Sequence, residues 1–194
     1  MQVGALRFPF AAFLALLLVA TGAQAQQVDP DTRLPIGPGG YRGLFSSIAR
    51  TTVTFDTKKY RPGSIVINTA ERRLYYVTDE GRAIRYGIGV GRLGFTWAGS
   101  TKVSQKREWP GWTPPPQMRA RVRGLPAYMK GGIENPLGAR AIYLGSTLYR
   151  IHGSNEPETI GQAVSSGCFR MVNDDVIDLY GRVKIGSPVH VLLK

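Results

Sequence analysis

Apolar residues in this 194-residue chain fall in short runs separated by turn formers, and that rhythm restricts the fold more than any other feature of the sequence. Runs of four to eight Val, Ile, Leu and Tyr bounded by Gly, Pro, Asn or Asp belong to strands, because a helix needs a longer stretch with a 3.6-residue period. Ser64–Asn68 (SIVIN), Arg73–Thr78 (RLYYVT), Ala83–Val90 (AIRYGIGV), Ala141–Leu144, Leu148–Ile151 and Pro188–Leu193 (PVHVLL) are the strand candidates. Thr78-Asp79-Glu80-Gly81 reads as a hairpin turn, since Asp and Gly tolerate the backbone angles it needs. The expected fold is mainly β.

Helical signals are few. Asn173 is placed to cap a helix, with Asp174 and Asp175 favourably set in its first turn. Val176, Ile177, Leu179, Tyr180 and Val183 then supply one apolar face. Lys184-Ile185-Gly186-Ser187-Pro188 ends it. A shorter helix is expected over Thr159–Val164, started by Pro157 and Glu158. Between Trp97 and Pro136 lies a long insertion containing Trp109-Pro110-Gly111-Trp112-Thr113-Pro114-Pro115-Pro116. Its aromatic content separates it from a linker, and it is either an ordered lid over a binding site or a proline-stiffened loop packed on the end of a sheet.

The first 25 residues read as a secretory signal peptide: Arg7 in the n-region, Phe8–Ala20 apolar, and Ala23-Gln24-Ala25 as the small-x-small cleavage site. The competing reading is an uncleaved anchor, against which the short, Pro9-marked stretch argues. Residues 26–61 are rich in Pro, Gly, Thr and Arg and read as a lead-in or tether, leaving 62–194 as one compact domain. No later segment is apolar enough to cross a membrane as a helix. The precursor carries a net charge of +12. Its basic residues are scattered, without a recognition helix or an aromatic RNA-binding motif, so export and pattern together argue against nucleic acid. An anionic extracellular polymer and a merely solvated basic surface both remain compatible with the charge.

Cys168 is the only cysteine. In an oxidising compartment a cysteine usually pairs, so a solitary one is either an inert buried thiol or a nucleophile. His152 precedes it by 16 residues and is a candidate base, because imidazole can accept the thiol proton near neutral pH. His190, the other histidine, reads as structural. Gly167 allows a tight turn before the cysteine and close approach of a carbonyl. Amides around Gly167 and Cys168 are candidate oxyanion donors. Arg170 could favour the thiolate, grip a substrate carboxylate, or pair with Asp174 or Asp175. One cysteine and one nearby histidine are too few soft ligands for a metal.

His152-Gly153-Ser154, a gap, and Ser165-Ser166-Gly167-Cys168-Phe169-Arg170-Met171-Val172-Asn173 together resemble the signature of the L,D-transpeptidase (YkuD-like) catalytic domain. Ile65-Val66-Ile67-Asn68 with Arg72-Arg73-Leu74-Tyr75-Tyr76 is similar to that family's first hairpin, Gly89-Val90-Gly91 to its next strand, and Asn135-Pro136-Leu137-Gly138-Ala139-Arg140-Ala141 to the segment before the histidine strand. The resemblance covers residues 62–194. It implies a β-sandwich or partly closed barrel with one or two short helices and a long Trp/Pro-rich lid. It also implies an exported, periplasmic enzyme acting on peptidoglycan stem peptides, with wall-anchored outer-membrane proteins as further possible partners and no metal or organic cofactor.

By the same resemblance Cys168 is the nucleophile and His152 the base and later acid. The Gly153 carbonyl orients the imidazole, and Gly167 shapes the nucleophile turn. Arg170, Ser154, Ser166 and, on the rim of the groove, Tyr128 are expected to contact substrate. The chain departs from many members in carrying Ser166 where they have a second histidine, and Phe169 where Ile or Val is usual. The acyl group would pass to an amine, making a 3→3 cross-link or anchoring a protein. A hydrolase on the same scaffold, or a non-catalytic wall-binding module, are the competing readings.

Overall fold

A computed structural model describes residues 27–28, 35–36, 49–79 and 81–194; the expected signal peptide lies outside them. Thirteen strands are described: β1 (Gln27–Val28), β2 (Pro35–Ile36), β3 (Thr51–Thr54), β4 (Ile65–Asn68), β5 (Arg73–Val77), β6 (Arg82–Gly87), β7 (Val90–Gly91), β8 (Gly99–Glu108), β9 (Arg140–Leu144), β10 (Arg150–His152), β11 (Ala163–Ser165), β12 (Phe169–Arg170) and β13 (Pro188–Leu192). Nine form one mixed sheet in the order β12-β10-β9-β8-β13-β4-β5-β6-β3, while β11 pairs with β7 and β1 with β2. The fold is mainly β with two short helices, as expected, but the sheet does not close into a barrel, because its end strands β12 and β3 are not paired with each other.

Both faces of the sheet's middle are buried, which explains why β4 reads as continuously apolar instead of alternating. Ile65 and Ile67 enter the main core with Leu74, Tyr86, Ile142, Leu144 and Val189. Val66, one residue out of phase, packs on the opposite face with Tyr60 and Val77. Helix α1 covers Pro116–Arg121, and helix α2 (Asn173–Arg182) lies against β9 and β10 and buries Val176 and Leu179. Each such side chain taken from water stabilises the fold by roughly 1.5–3 kcal/mol before entropy is counted. At the far end of α2, the Lys106 amine of β8 donates to the carbonyls of Tyr180 (2.6 Å) and Val183 (2.8 Å), satisfying groups that a helix end leaves open.

The structure corrects several expectations. Residues 159–164 do not form a helix: a 3-10 turn covers Pro157–Thr159 and Ala163–Ser165 is strand β11, paired in parallel with β7. Asn173 does not cap α2. The cap position is Val172, which makes no side-chain cap bond, because the Asn173 amide is spent on tertiary contacts. Ala83–Val90 is broken at Ile88 and Gly89, where the chain turns from β6 into β7. Leu148 is an exposed turn residue and its strand begins at Arg150. The segment 97–136 is not irregular throughout: its first part is β8, the longest strand, which bridges β9 and β13. Thr51–Thr54, within the expected lead-in, is a strand at the sheet's end.

Candidate active site

β10 and β12 run parallel, with Ile151 opposite Phe169 and His152 opposite Arg170. Strand side chains alternate between faces, so Ile151 and Phe169 go into the core at 0% and 1% exposure. Arg150, His152, Cys168 and Arg170 are left on the other face, where all four line a cleft of about 370 Å3. Alternation on two neighbouring strands therefore gathers the residues that the sequence keeps apart. The other wall comes from Phe95, just ahead of the insertion, and from Trp112, Pro115, Gln117, Met118 and Arg121 within it, with Pro136 and Leu137. Trp112 and Met129 exchange backbone hydrogen bonds of 2.8 Å in both directions. The Asn135 amide ties Pro110 and Lys130. That wall is ordered by its own hydrogen bonds.

His152 is buried, and its Nδ1 lies 2.6 Å from the Gly153 carbonyl oxygen. A carbonyl only accepts, so Nδ1 carries the proton and Nε2 is left as the basic nitrogen. Burial lowers the imidazole pKa to about 3, partly opposed by the Gly153 bond and reinforced by the charges of Arg170 and Arg150. The ring is thus neutral at pH 7. Cys168 is half-buried and carries a free thiol, whose sulfur lies 3.8 Å from the Leu148 carbonyl oxygen. Burial pushes the thiol pKa up, while the Arg150 charge, a hydrogen bond from the Arg150 backbone and the Arg170 charge pull against it. The resting pair is a thiol and a neutral imidazole, so proton transfer has to accompany attack.

The turn that presents Cys168 is braced at three points. Gly167 has φ +106°, and a Cβ there would run into the Tyr149 ring. The Ser165 hydroxyl donates to the Cys168 carbonyl (2.6 Å) and accepts from the Gly167 amide (3.2 Å). Trp97 donates from Nε1 to the Gly167 carbonyl (3.3 Å) and stacks on Tyr149 at 4.7 Å. The Gly167 amide, one of the candidate oxyanion donors, is engaged by the Ser165 hydroxyl in this state. Phe169 fills the space beneath, tilted against Trp97 at 5.9 Å.

A second junction fixes the histidine loop. Asn173 Oδ1 accepts from the amides of Ala139 (3.0 Å) and Ser154 (3.3 Å), joining the start of α2 to the residues on either side of β9 and β10. Gly138 and Gly153 make this possible, because a Cβ on either would strike the Asn173 side chain. Gly153 therefore both orients His152 and admits Asn173.

Of the remaining candidates, Ser166 and Arg170 line the cleft. Arg170 pairs with Glu156 (2.8 Å), a partner absent from the sequence expectation. Ser154 is buried and its hydroxyl accepts from the Glu156 amide (2.9 Å), so it shapes the loop. Tyr128 is 61% exposed and is not among the lining residues; its ring packs over Gly111. His190 bonds Ser100 (2.9 Å) on β13, away from the cleft. Sequence reasoning gave no role to Trp97, Tyr149, Arg150 or Ser165, and read Asn173 only as a helix cap. Only Ser165 carried a local signal, a serine two and three residues from the groups it bonds.

The family model for the YkuD L,D-transpeptidase catalytic domain matches residues 62–191. A probable L,D-transpeptidase of Escherichia coli K12, YbiS, is 39% identical over 171 residues, covering 84% of this chain and 52% of that protein. This chain spans about half the length of the curated relatives it matches. A solved structure from Brucella melitensis, named as a probable carnitine operon oxidoreductase, is 46% identical with TM-score 0.50, covering 74% of this chain and 93% of the other. An L,D-transpeptidase structure from Enterococcus faecium, at 20% identity and TM-score 0.52, covers 68% of this chain and 50% of its own and shows the shared fold.

Proposed function

Because the chain belongs to the YkuD L,D-transpeptidase catalytic domain family, we propose that it is a cysteine-dependent acyltransferase acting on peptidoglycan stem peptides in the periplasm. The observation that carries this reading is the placement of Cys168 and His152 on one cleft, with the His152 Nδ1 proton held by Gly153 so that Nε2 is the basic nitrogen. The donor is a stem tetrapeptide. As its carbonyl approaches, Nε2 takes the Cys168 proton and the sulfur attacks, giving a tetrahedral oxyanion in a cleft of low polarity. The proton then passes from His152 to the departing D-alanine amine, leaving a thioester. An acceptor amine gives its proton to Nε2 as it attacks the thioester; the C–S bond breaks, the Cys168 sulfur leaves and takes that proton from His152, and a new amide is released. Trp112, Leu137 and Met118 give the cleft apolar walls, and water kept from the thioester by such walls would favour aminolysis over hydrolysis. Transfer to another stem gives a 3→3 cross-link, and transfer to a protein amine gives a wall anchor.

The Brucella melitensis neighbour is named as a probable oxidoreductase. Gly89-Val90-Gly91-Arg92-Leu93-Gly94 has the spacing of a dinucleotide-binding glycine motif. That motif works by opening a helix whose N-terminus receives the pyrophosphate. Here it leads into β8, so the context that gives the motif its meaning is missing.

Incubation of the purified protein with stem tetrapeptide should release D-alanine and add the acyl mass to Cys168 in intact-mass spectra, and Cys168→Ala should do neither. Cross-linked dimers among the products support the transferase, and shortened monomers alone the hydrolase. Undiminished D-alanine release from Cys168→Ala overturns the assignment.

A further inference from the structure

Beside the cleft that holds Cys168 lies a second cavity of about 350 Å3, and the two share Arg121, Ser166 and Arg170 in their walls. Arg92, just after β7, is added on the far side. The guanidinium carbons of Arg92 and Arg121 lie 4.5 Å and 5.3 Å from the centroid of the same ring, Phe95. Arg121 also donates to the Ser166 hydroxyl at 3.4 Å. Both arginines are exposed, and among the described residues neither has an acidic partner. Arg170, the third cation of this wall, already holds Glu156. Among the described residues, no acidic side chain lines the cavity.

Two guanidinium groups that line one cavity and have no acidic partner among the described residues favour an anion there. Stacking on Phe95 limits the freedom of both side chains, so less entropy is lost when they grip a ligand. A planar carboxylate matches the guanidinium fork. The exposed side chains of Val122 and Val164, also in the wall, suit an aliphatic chain next to that carboxylate. The Ser166 hydroxyl is turned to Arg121 and completes the polar side of this wall.

We propose that Arg92, Arg121 and Ser166 form a subsite for a carboxylate of the peptide substrate whose reacting group lies at Cys168. The placement of the reacting group rests on the acyl-transfer reading above; the recognition of a carboxylate rests on the arginine pair. The carboxylate belongs either to the acyl donor or to the acceptor amine. In the second case the enzyme prefers an amine carried on an amino-acid frame to a plain alkylamine.

Calorimetry on the full chain carrying Cys168→Ala, where no turnover can occur, tests this directly. The probes are a stem tetrapeptide as donor and a diamino-acid tripeptide as acceptor, each compared with forms in which one carboxylate at a time is converted to the amide. Amidation of one carboxylate should weaken binding about tenfold, and the peptide in which that occurs identifies the source. Adding Arg92→Gln and Arg121→Gln should erase the difference while leaving the amide form bound as before, with an unchanged melting temperature because both side chains are exposed. Equal binding of all free and amidated forms, or an amidation penalty that survives in the double arginine variant, overturns the subsite. D-alanine release by the wild-type protein is read separately: carboxylate-selective binding without any release sinks the acyl-transfer reading and leaves the subsite standing.

Discussion

His152 shows how one buried hydrogen bond settles the chemistry of a side chain. The Gly153 carbonyl fixes its tautomer, and burial lowers its pKa to about 3. An unfolded chain would instead protonate this histidine near its ordinary value of about 6.5. Between those limits the unfolded state binds more protons, so stability falls as pH drops from about 6.5 toward 3 and is flat in this respect above 6.5. Urea titrations from pH 7 to pH 4 should show wild type losing stability more steeply than His152→Gln; parallel slopes would contradict a neutral buried imidazole. Arg150 governs the thiol in the opposite sense. Its charge and backbone bond both pull the raised Cys168 pKa down, so Arg150→Gln should raise it further. Iodoacetamide should then alkylate Cys168 several-fold more slowly at pH 8, with the rate climbing to higher pH than in wild type.

At the scale of elements, the site depends on how α2 meets the loops after β10 and before β9. Asn173 begins the helix yet gives its oxygen to Ala139 and Ser154, both buried. Replacing it by Ala leaves two buried amides without their acceptor, at about 1–3 kcal/mol each. Asn173→Ala should therefore lower the urea midpoint and reduce kcat for D-alanine release beyond what the unfolded fraction explains, since the Gly153 loop loosens around His152. Asn173→Asp, which keeps an acceptor oxygen, should recover part of both. If Asn173→Ala melts earlier but turns over normally once folded, the junction is only structural.

For the whole molecule, the boundary of the folded unit matters most. The segment ahead of Pro62 places Thr51–Thr54 beside β6 and packs Phe55 and Tyr60 on the sheet face away from α2. It also sets Arg50 2.8 Å from Asp178, the carboxylate that accepts from Tyr86 (2.6 Å) and Arg182 (2.9 Å). A chain starting at Pro62 loses the β3 pairing, the Phe55 and Tyr60 packing and the Arg50–Asp178 ion pair. It should melt at least about 5 °C below one starting at Ala49 in calorimetric scans. Equal melting temperatures would show that residues 49–61 are dispensable.

The mainly β class, strands β4, β5, β9 and β13, the helix from Asn173 and the Cys168–His152 pair were all legible in the sequence. Each depends on a local pattern: alternation, a 3.6-residue period, or a lone nucleophile preceded by glycine. β8 was not legible, because Lys102, Lys106 and Arg107 give it a polar surface and its place in the sheet comes from pairing with β9 and β13. β11 carries no local strand signal, because its pairing partner β7 lies some seventy residues earlier. The braces around the site share that character, since Trp97 to Gly167, Asn173 to Ala139 and Arg121 to Ser166 are meetings of distant segments. Sequence alone fixed which groups could do chemistry, because reactivity belongs to residue types. Only tertiary structure decided their protonation, orientation and neighbours, because burial and hydrogen bonding depend on what the rest of the chain brings to them.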